Sequence, residues 1–156
     1  SRFARMPSAN PVASDLHQIL EDSLRPYPEL HPELEIKRRL APDVPPLQLD
    51  PDQMRRAFTN LFDNAVKAMQ EDGRLSVTTV FDPDLEVVRV EVADNGPGIR
   101  PEDKDRLFVP YFSRKRGGTG LGLAIVRQIV SDHRGYIRVV DNVPHGATFV
   151  VELPTS

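Results

Sequence analysis

The chain has 156 residues, a length that suits one domain with a real core, and its 39% apolar and 28% charged content is ordinary for a globular protein. A net charge of −3 gives no bulk sign of a nucleic-acid binder. The absence of cysteine excludes a disulfide framework, a thiolate zinc site and a cysteine nucleophile, and no apolar run approaches the roughly 20 residues of a membrane span.

Residues 1–13 read as the end of a helix followed by a linker. The first six residues would be the helix tail, stopped by Pro7. The first residue is Ser1 rather than Met, as expected of a piece of a longer protein. The domain proper is expected over 14–156. Ser14 is a good N-cap, and Leu16, Ile19, Leu20 and Leu24 follow at helical spacing, so a helix should end before Pro26. Pro26 to Pro32 is a proline-punctuated loop. Leu34, Ile36 and Leu40 suggest a strand over about 34–40, interrupted by Pro42, Pro45 and Pro46.

Asp50-Pro51 opens the strongest helix, with Asp as cap and Pro in the first turn. Met54, Ala57, Phe58, Leu61, Ala65, Ala68 and Met69 form its apolar stripe, and the body is expected to run to about Glu71, before Gly73. Strands follow at about 74–81 and 86–93, joined as a hairpin by Asp82-Pro83-Asp84-Leu85. Residues 95–118 have weak periodicity and many Gly, Pro and charged residues, the mark of a long functional loop. A helix over about 119–133 ends at Gly135, and two strands close the chain at about 136–141 and 147–153. Hairpins dominate this order. The expected architecture is α+β: a two-layer α/β sandwich with a mixed, mostly antiparallel sheet and about three helices on one face.

Three stretches carry chemistry. Asp94 shares the parity of Val88, Val90 and Val92, so it points to the core side at the end of its strand. A carboxylate there needs a donor. Asp-Asn-Gly is also a strong turn signal, and a turn alone accounts for it as well as an exocyclic amine such as that of adenine does. On the helix 52–71, Asn60, Asn64 and Lys67 fall at i, i+4 and i+7, a polar stripe beside the apolar one. Amide oxygens suit Mg²⁺ that keeps most of its shell as water and phosphate, and lysine supplies a point charge for phosphate. A solvated helix face explains the stripe too, although two asparagines one turn apart are costly on a strong helix. Finally, Gly117 to Leu123 precedes an apolar helix and follows Arg114, Lys115 and Arg116, which suits an anion at a helix start or a flexible cap. The spacing fits neither a P-loop nor a dinucleotide fingerprint.

In this order the segments resemble the catalytic and ATP-binding domain of sensor histidine kinases, in the wider family shared with gyrase, Hsp90 and MutL. Asn60-Leu61-Phe62-Asp63-Asn64-Ala65-Val66-Lys67 is similar to the asparagine box, and Asp94-Asn95-Gly96-Pro97-Gly98-Ile99 to the first glycine box. Leu107-Phe108-Val109-Pro110-Tyr111-Phe112 resembles the phenylalanine box, and Gly118-Thr119-Gly120-Leu121-Gly122-Leu123 the second glycine box. His145-Gly146-Ala147-Thr148-Phe149 resembles the late glycine turn before the last strand. The resemblance covers roughly residues 14–154.

The resemblance implies the Bergerat fold and a protein histidine kinase that passes the γ-phosphoryl of ATP to a histidine on a separate dimerisation domain of the parent. Asp94 would bind the adenine amino group with Thr148 assisting, and Gly96, Gly98 and Ile99 would shape that turn. Asn64 would ligate Mg²⁺ with Asn60 in support. Lys67 and the turn Gly118, Thr119, Gly120, Leu121, Gly122 and Leu123 would meet the phosphates. Residues 99–117 would be a lid whose middle is anchored by Pro110, Tyr111 and Phe112, with Arg114, Lys115 and Arg116 near the γ-phosphate. Expected partners are ATP or ADP, the dimerisation domain and, indirectly, a response regulator, with no nucleic acid and no membrane contact in this piece. A cytoplasmic location is implied, leaving open a tether of the parent protein to the inner membrane.

Two departures qualify this. Gyrase-like members carry a glutamate as general base where this chain has Asn60, and an amide cannot take a proton from water. That favours transfer over hydrolysis. No His-Glu-x-x-x-Pro acceptor motif occurs, and His17, His31, His133 and His145 are not assigned as acceptor; His133, closing a helix, is read as a cation suited to the dipole. The alternatives are a gyrase- or Hsp90-type ATPase and a non-enzymatic nucleotide-binding module that signals by ordering its lid.

Overall fold

Apolar side chains recur every second residue through 74–94 and every third or fourth through 51–68, which sorts the chain into a sheet and a helical layer. Residues 7–113 and 120–156 are described in the computed structural model. Along the chain the elements are β1 (Val12–Ser14), α1 (Leu16–Leu24), α2 (Tyr27–Leu30), β2 (Glu35–Leu40), β3 (Leu47–Leu49), α3 (Pro51–Ala68), β4 (Arg74–Asp82), β5 (Val87–Asp94), α4 (Pro101–Lys104), α5 (Gly122–Asp132), β6 (Tyr136–Asp141) and β7 (Ala147–Pro154). Among the described residues no helix is long and apolar enough to cross a membrane. Residues 1–6, expected as a helix tail, lie outside the described residues.

The main sheet has the order β2-β4-β5-β7-β6. Among the described residues the β2–β4 pair alone is parallel; β4–β5, β5–β7 and β6–β7 are antiparallel. Register puts Val88, Val90 and Val92 beside Leu153, Val151 and Phe149, all nearly without exposure, on the face that meets the helices. Each such side chain contributes about 1.5–3 kcal/mol by leaving water. The mixed, mostly antiparallel sheet with helices on one face is therefore observed, with α1, α3 and α5 as the layer and α2 and α4 as single turns.

Helix α3 is the centre of that layer. It contacts β4, β5, α1 and α5. Phe58 and Phe62 stack at 6.4 Å on its buried side, and the Tyr27 ring meets Phe62 edge-on at 5.9 Å. Its cap is as expected: Asp50 Oδ1 accepts the Gln53 N–H at 3.1 Å. Its end is earlier than expected. Met69 turns extended (φ −90°, ψ 151°), so α3 stops at Ala68 rather than near Glu71.

Ser14 does not cap α1. It is the last residue of β1, with its hydroxyl 2.7 Å from Val12 O, and Asp15 takes the cap by accepting the N–H groups of His17 and Gln18. Strand β1 pairs antiparallel with β3, a contact the sequence reading did not foresee. The segment before it is tied to α3 as well: Asn10 N–H donates to Asp50 Oδ2 and Gln53 Nε2 donates to Pro7 O, both at 2.9 Å. His133 is buried. Its Nε2 accepts the Asp50 N–H at 2.9 Å, and its Nδ1 donates to Ile129 O at 2.7 Å. Those two roles describe a neutral ring joining the end of α5 to the start of α3, in place of the cation expected there.

Candidate functional site

Alternation along β5 delivers Asp94 to the helix-facing side at the strand's end, where it is 2% exposed. Its Oδ1 accepts the N–H groups of Gly96 at 2.9 Å and Ala147 at 3.2 Å. The carboxylate thus serves as the turn signal that the sequence suggested and also faces a cavity of about 790 Å³. Gly96 does not line that cavity; a side chain there would run into Ala68 O at 2.8 Å. Gly98 (φ +86°) and Ile99 carry the chain along the cavity's rim.

The opposite wall is α3. Asn60, Asn64 and Lys67 all line the cavity, as the one-turn spacing demands. Asp63 lines it too, and the sequence reading left it out. Its Oδ1 accepts the Tyr27 hydroxyl at 2.5 Å. Burial first, and then that hydrogen bond, push the Tyr27 phenol well above its ordinary value. Asn60 Nδ2 donates to Gly122 O at 3.2 Å, joining α3 to the first turn of α5.

The second glycine turn closes the cavity from the other side through Gly120, Gly122 and Leu123, and α5 begins at Gly122. Leu121 precedes it and contributes its carbonyl to the first turn, accepting from Ile125 N–H at 2.9 Å. The long loop is pinched at its neck. Tyr111 N–H donates to Gly120 O at 2.8 Å, and a Cβ at Gly120 (φ +74°) would lie 2.4 Å from Tyr111 C, so the approach depends on glycine. Arg114, Lys115, Arg116, Gly118 and Thr119, expected at the phosphates, lie outside the described residues.

Two expectations need correction. Thr148 is not on the cavity. Its partners across the ladders are Ala93 and Val140, on the sheet face away from the helices, while its neighbours Ala147 and Phe149 form the wall. Strand β7 starts at Ala147, and that fixes the parity. The Tyr111 side chain is 66% exposed, so this residue holds the loop by its main chain and not by its ring. The buried ring of that segment is Phe108, edge-on to Phe149 at 6.1 Å, while Phe112 lines the cavity. The resulting chamber has an apolar lining from Ile99, Leu107, Ala147 and Phe149, with the Ala147 N–H on the Asp94 carboxylate, and a polar lining from Asn60, Asn64 and Lys67 of α3. That division suits a flat heterocycle read by one carboxylate, with a charged tail beside the amides and Lys67.

A match to the family described as "Histidine kinase-, DNA gyrase B-, and HSP90-like ATPase" runs over residues 49–156, more than half of the chain. The chain belongs to that family. Among its curated relatives of this ATPase family, the sensory histidine kinase/phosphatase NtrB of Vibrio alginolyticus is 38% identical over 152 residues, covering 90% of this chain and 43% of NtrB. The sensor histidine kinase ZraS of Escherichia coli K12 is 36% identical over 146 residues, covering 92% of this chain and 31% of ZraS. The chain therefore spans less than half the length of these relatives. Among solved structures, the catalytic domain of histidine kinase ThkA superposes with a TM-score of 0.85 at 28% identity, covering 94% of this chain and 96% of that one. The Bergerat fold of histidine kinase catalytic domains is thus the fold of this ATPase-family chain.

Proposed function

We propose that this domain binds Mg·ATP and serves as the catalytic half of a sensor histidine kinase, passing the γ-phosphoryl to a histidine on a separate dimerisation domain. The observation that carries the reading is the buried Asp94 at the apolar end of a chamber whose other wall bears Asn60, Asn64 and Lys67. In this arrangement Asp94 accepts the adenine amino group, the apolar wall holds the base, and Lys67 meets phosphate. Likeness to sensor kinases across about nine-tenths of the chain supports the acceptor class.

The donor chemistry at the chamber suits Mg²⁺. Among the described residues no three His, Cys, Asp or Glu side chains gather to hold a metal. A cation beside Asn64 and Asn60 would take its remaining ligands from water and phosphate, the habit of Mg²⁺. Bound there, it neutralises charge on the transferring phosphoryl group. The protein's own part is positioning: Asn60 and Asn64 hold the polar wall, and the neutral acceptor imidazole attacks in line. Asn60 offers no base for water, and Asp63, the nearest carboxylate on the helix, is engaged by Tyr27. Transfer is favoured over hydrolysis on that ground.

The partner follows from the same reading: a helical dimerisation domain of the parent, and through it a response regulator. Mixing this domain with a matching dimerisation domain and γ-labelled ATP should place acid-labile, base-stable label on a histidine. Nucleotide binding with no label on histidine, or steady hydrolysis in its place, would overturn the kinase reading.

A further inference from the structure

The turn after β6, residues 142–146, meets the main chain of the first glycine turn. The ladder between β5 and β7 ends at Ala93↔Thr148, one residue before Asp94. Asp94 still pairs with Leu75 of β4, but on the β7 side a side chain takes over from the strand at its carbonyl. Asn142 provides that side chain: Nδ2 donates to Asp94 O at 2.8 Å. The amide is held in that orientation because its Oδ1 accepts the Val143 N–H at 2.9 Å, while Asn142 N–H donates to Gly146 O at 3.0 Å. His145 Nδ1 donates to Gly96 O at 3.0 Å. Gly146 lies flat on Asp94, and the next N–H, that of Ala147, binds the Asp94 carboxylate itself. Both carbonyls that flank Asn95 are thus held from this one turn.

We infer that Asn142, with His145 in support, is a specificity-determining residue that fixes Asp94 in the orientation that reads the 6-amino group of adenine. The inference rests on the reading of Asp94 given above. A carboxylate discriminates between a donor and an acceptor on a base only while its angle is held within a fraction of an ångström, and a side chain held by supporting hydrogen bonds is what holds it. Asn142 acts through Asp94, so it is a positioning residue.

The readout that separates this from a merely structural role is the preference for ATP over ITP, which has a 6-oxo group where ATP has the amine. Calorimetric titration of Mg·ATP and Mg·ITP gives that ratio for the wild type, Asp94→Asn, Asn142→Asp, Asn142→Ala and His145→Ala. Asn142→Asp keeps the shape and the Val143 bond but puts an acceptor against the Asp94 carbonyl. A loss of fold alone weakens both nucleotides equally and leaves the ratio untouched. The expected result is a ratio lowered by about 3- to 10-fold in both Asn142 variants, the scale of one hydrogen bond, less in His145→Ala, and abolished in Asp94→Asn. An unchanged ratio in Asn142→Asp and Asn142→Ala, with Asp94→Asn still abolishing it, overturns the inference and leaves the base reading standing. An unchanged ratio in Asp94→Asn overturns both.

Discussion

Gly146→Ala tests how tightly the late turn is fitted to the first glycine turn. At Gly146 φ is +110°, and a Cβ there would lie 2.0 Å from the Asp94 carbonyl oxygen, 2.8 Å from its carbon and 3.0 Å from Asn95 Cα. All three nearest atoms are backbone, so the clash cannot be relieved by a flexible side chain. Holding an L-residue at positive φ costs about 1–2 kcal/mol, and relieving the contact by moving backbone adds about 1–3 kcal/mol. The sum, about 2–5 kcal/mol, lowers Tm by roughly 4–20 °C for a domain of this size. Gly122→Ala is the matched control. A Cβ there meets nothing within 4 Å, and the residue opens α5, where Ala gains about 0.5–1 kcal/mol over Gly. Thermal melts followed by circular dichroism should show Gly146→Ala melting well below the wild type and Gly122→Ala at or above it. If Gly146→Ala melts within about 1 °C of the wild type, the close packing of the two turns is wrong.

Two more predictions concern the support of α3. Burial acts to raise the Asp50 carboxyl, but the N–H groups of Asn10 and Gln53 outweigh it and leave the group below the ordinary carboxylate value. Because the folded value is the lower one, the stability Asp50 contributes is present above the unfolded value of about 4 and lost as pH falls through the folded one. The Tm gap between wild type and Asp50→Asn should therefore be widest near neutrality and narrow on acidification; a gap that widens in acid contradicts this. Of the three tyrosines, Tyr27 should stay protonated in alkali until the domain unfolds, because burial and Asp63 both raise it. Ultraviolet titration of Tyr27→Phe should lack that late, unfolding-linked component, and its persistence would mean another tyrosine is responsible.

The strongest sequence signals were local and periodic, and these survive in the structure. Asp94 was placed from the parity of Val88, Val90 and Val92, and the strand keeps that parity to its last residue. Asp50 and Pro51 marked the start of α3 because cap chemistry is written in adjacent residues. The misplaced residues depended on partners far along the chain. Ser14 has the chemistry of a cap, yet pairing of β1 with β3 spends it in a strand. Three-residue strands have too few alternations to be read, and their pairing here spans more than thirty residues of sequence. Thr148 came from the resemblance alone: the expected strand over 147–153 already put it on the face opposite Ala147 and Phe149, the two residues that line the chamber. Asp63 was legible in hindsight, one turn from Asn60 and beside Asn64, but its bond to Tyr27 crosses 36 residues.

Equilibrium titration with ATP and Mg²⁺, wild type against Asp94→Asn, bears most directly on the central claim that this chamber holds the nucleotide with its base on Asp94. The substituted amide oxygen can still accept from Gly96 and Ala147, so the turn survives, while the hydrogen bond from base to carboxylate is lost. A hydrogen bond to a charged group contributes about 1.5–3 kcal/mol, so affinity should fall roughly 10- to 150-fold with the melting temperature little changed. A variant that binds Mg·ATP as tightly as the wild type would contradict the assignment of Asp94 and, with it, the orientation of nucleotide on which the kinase reading stands.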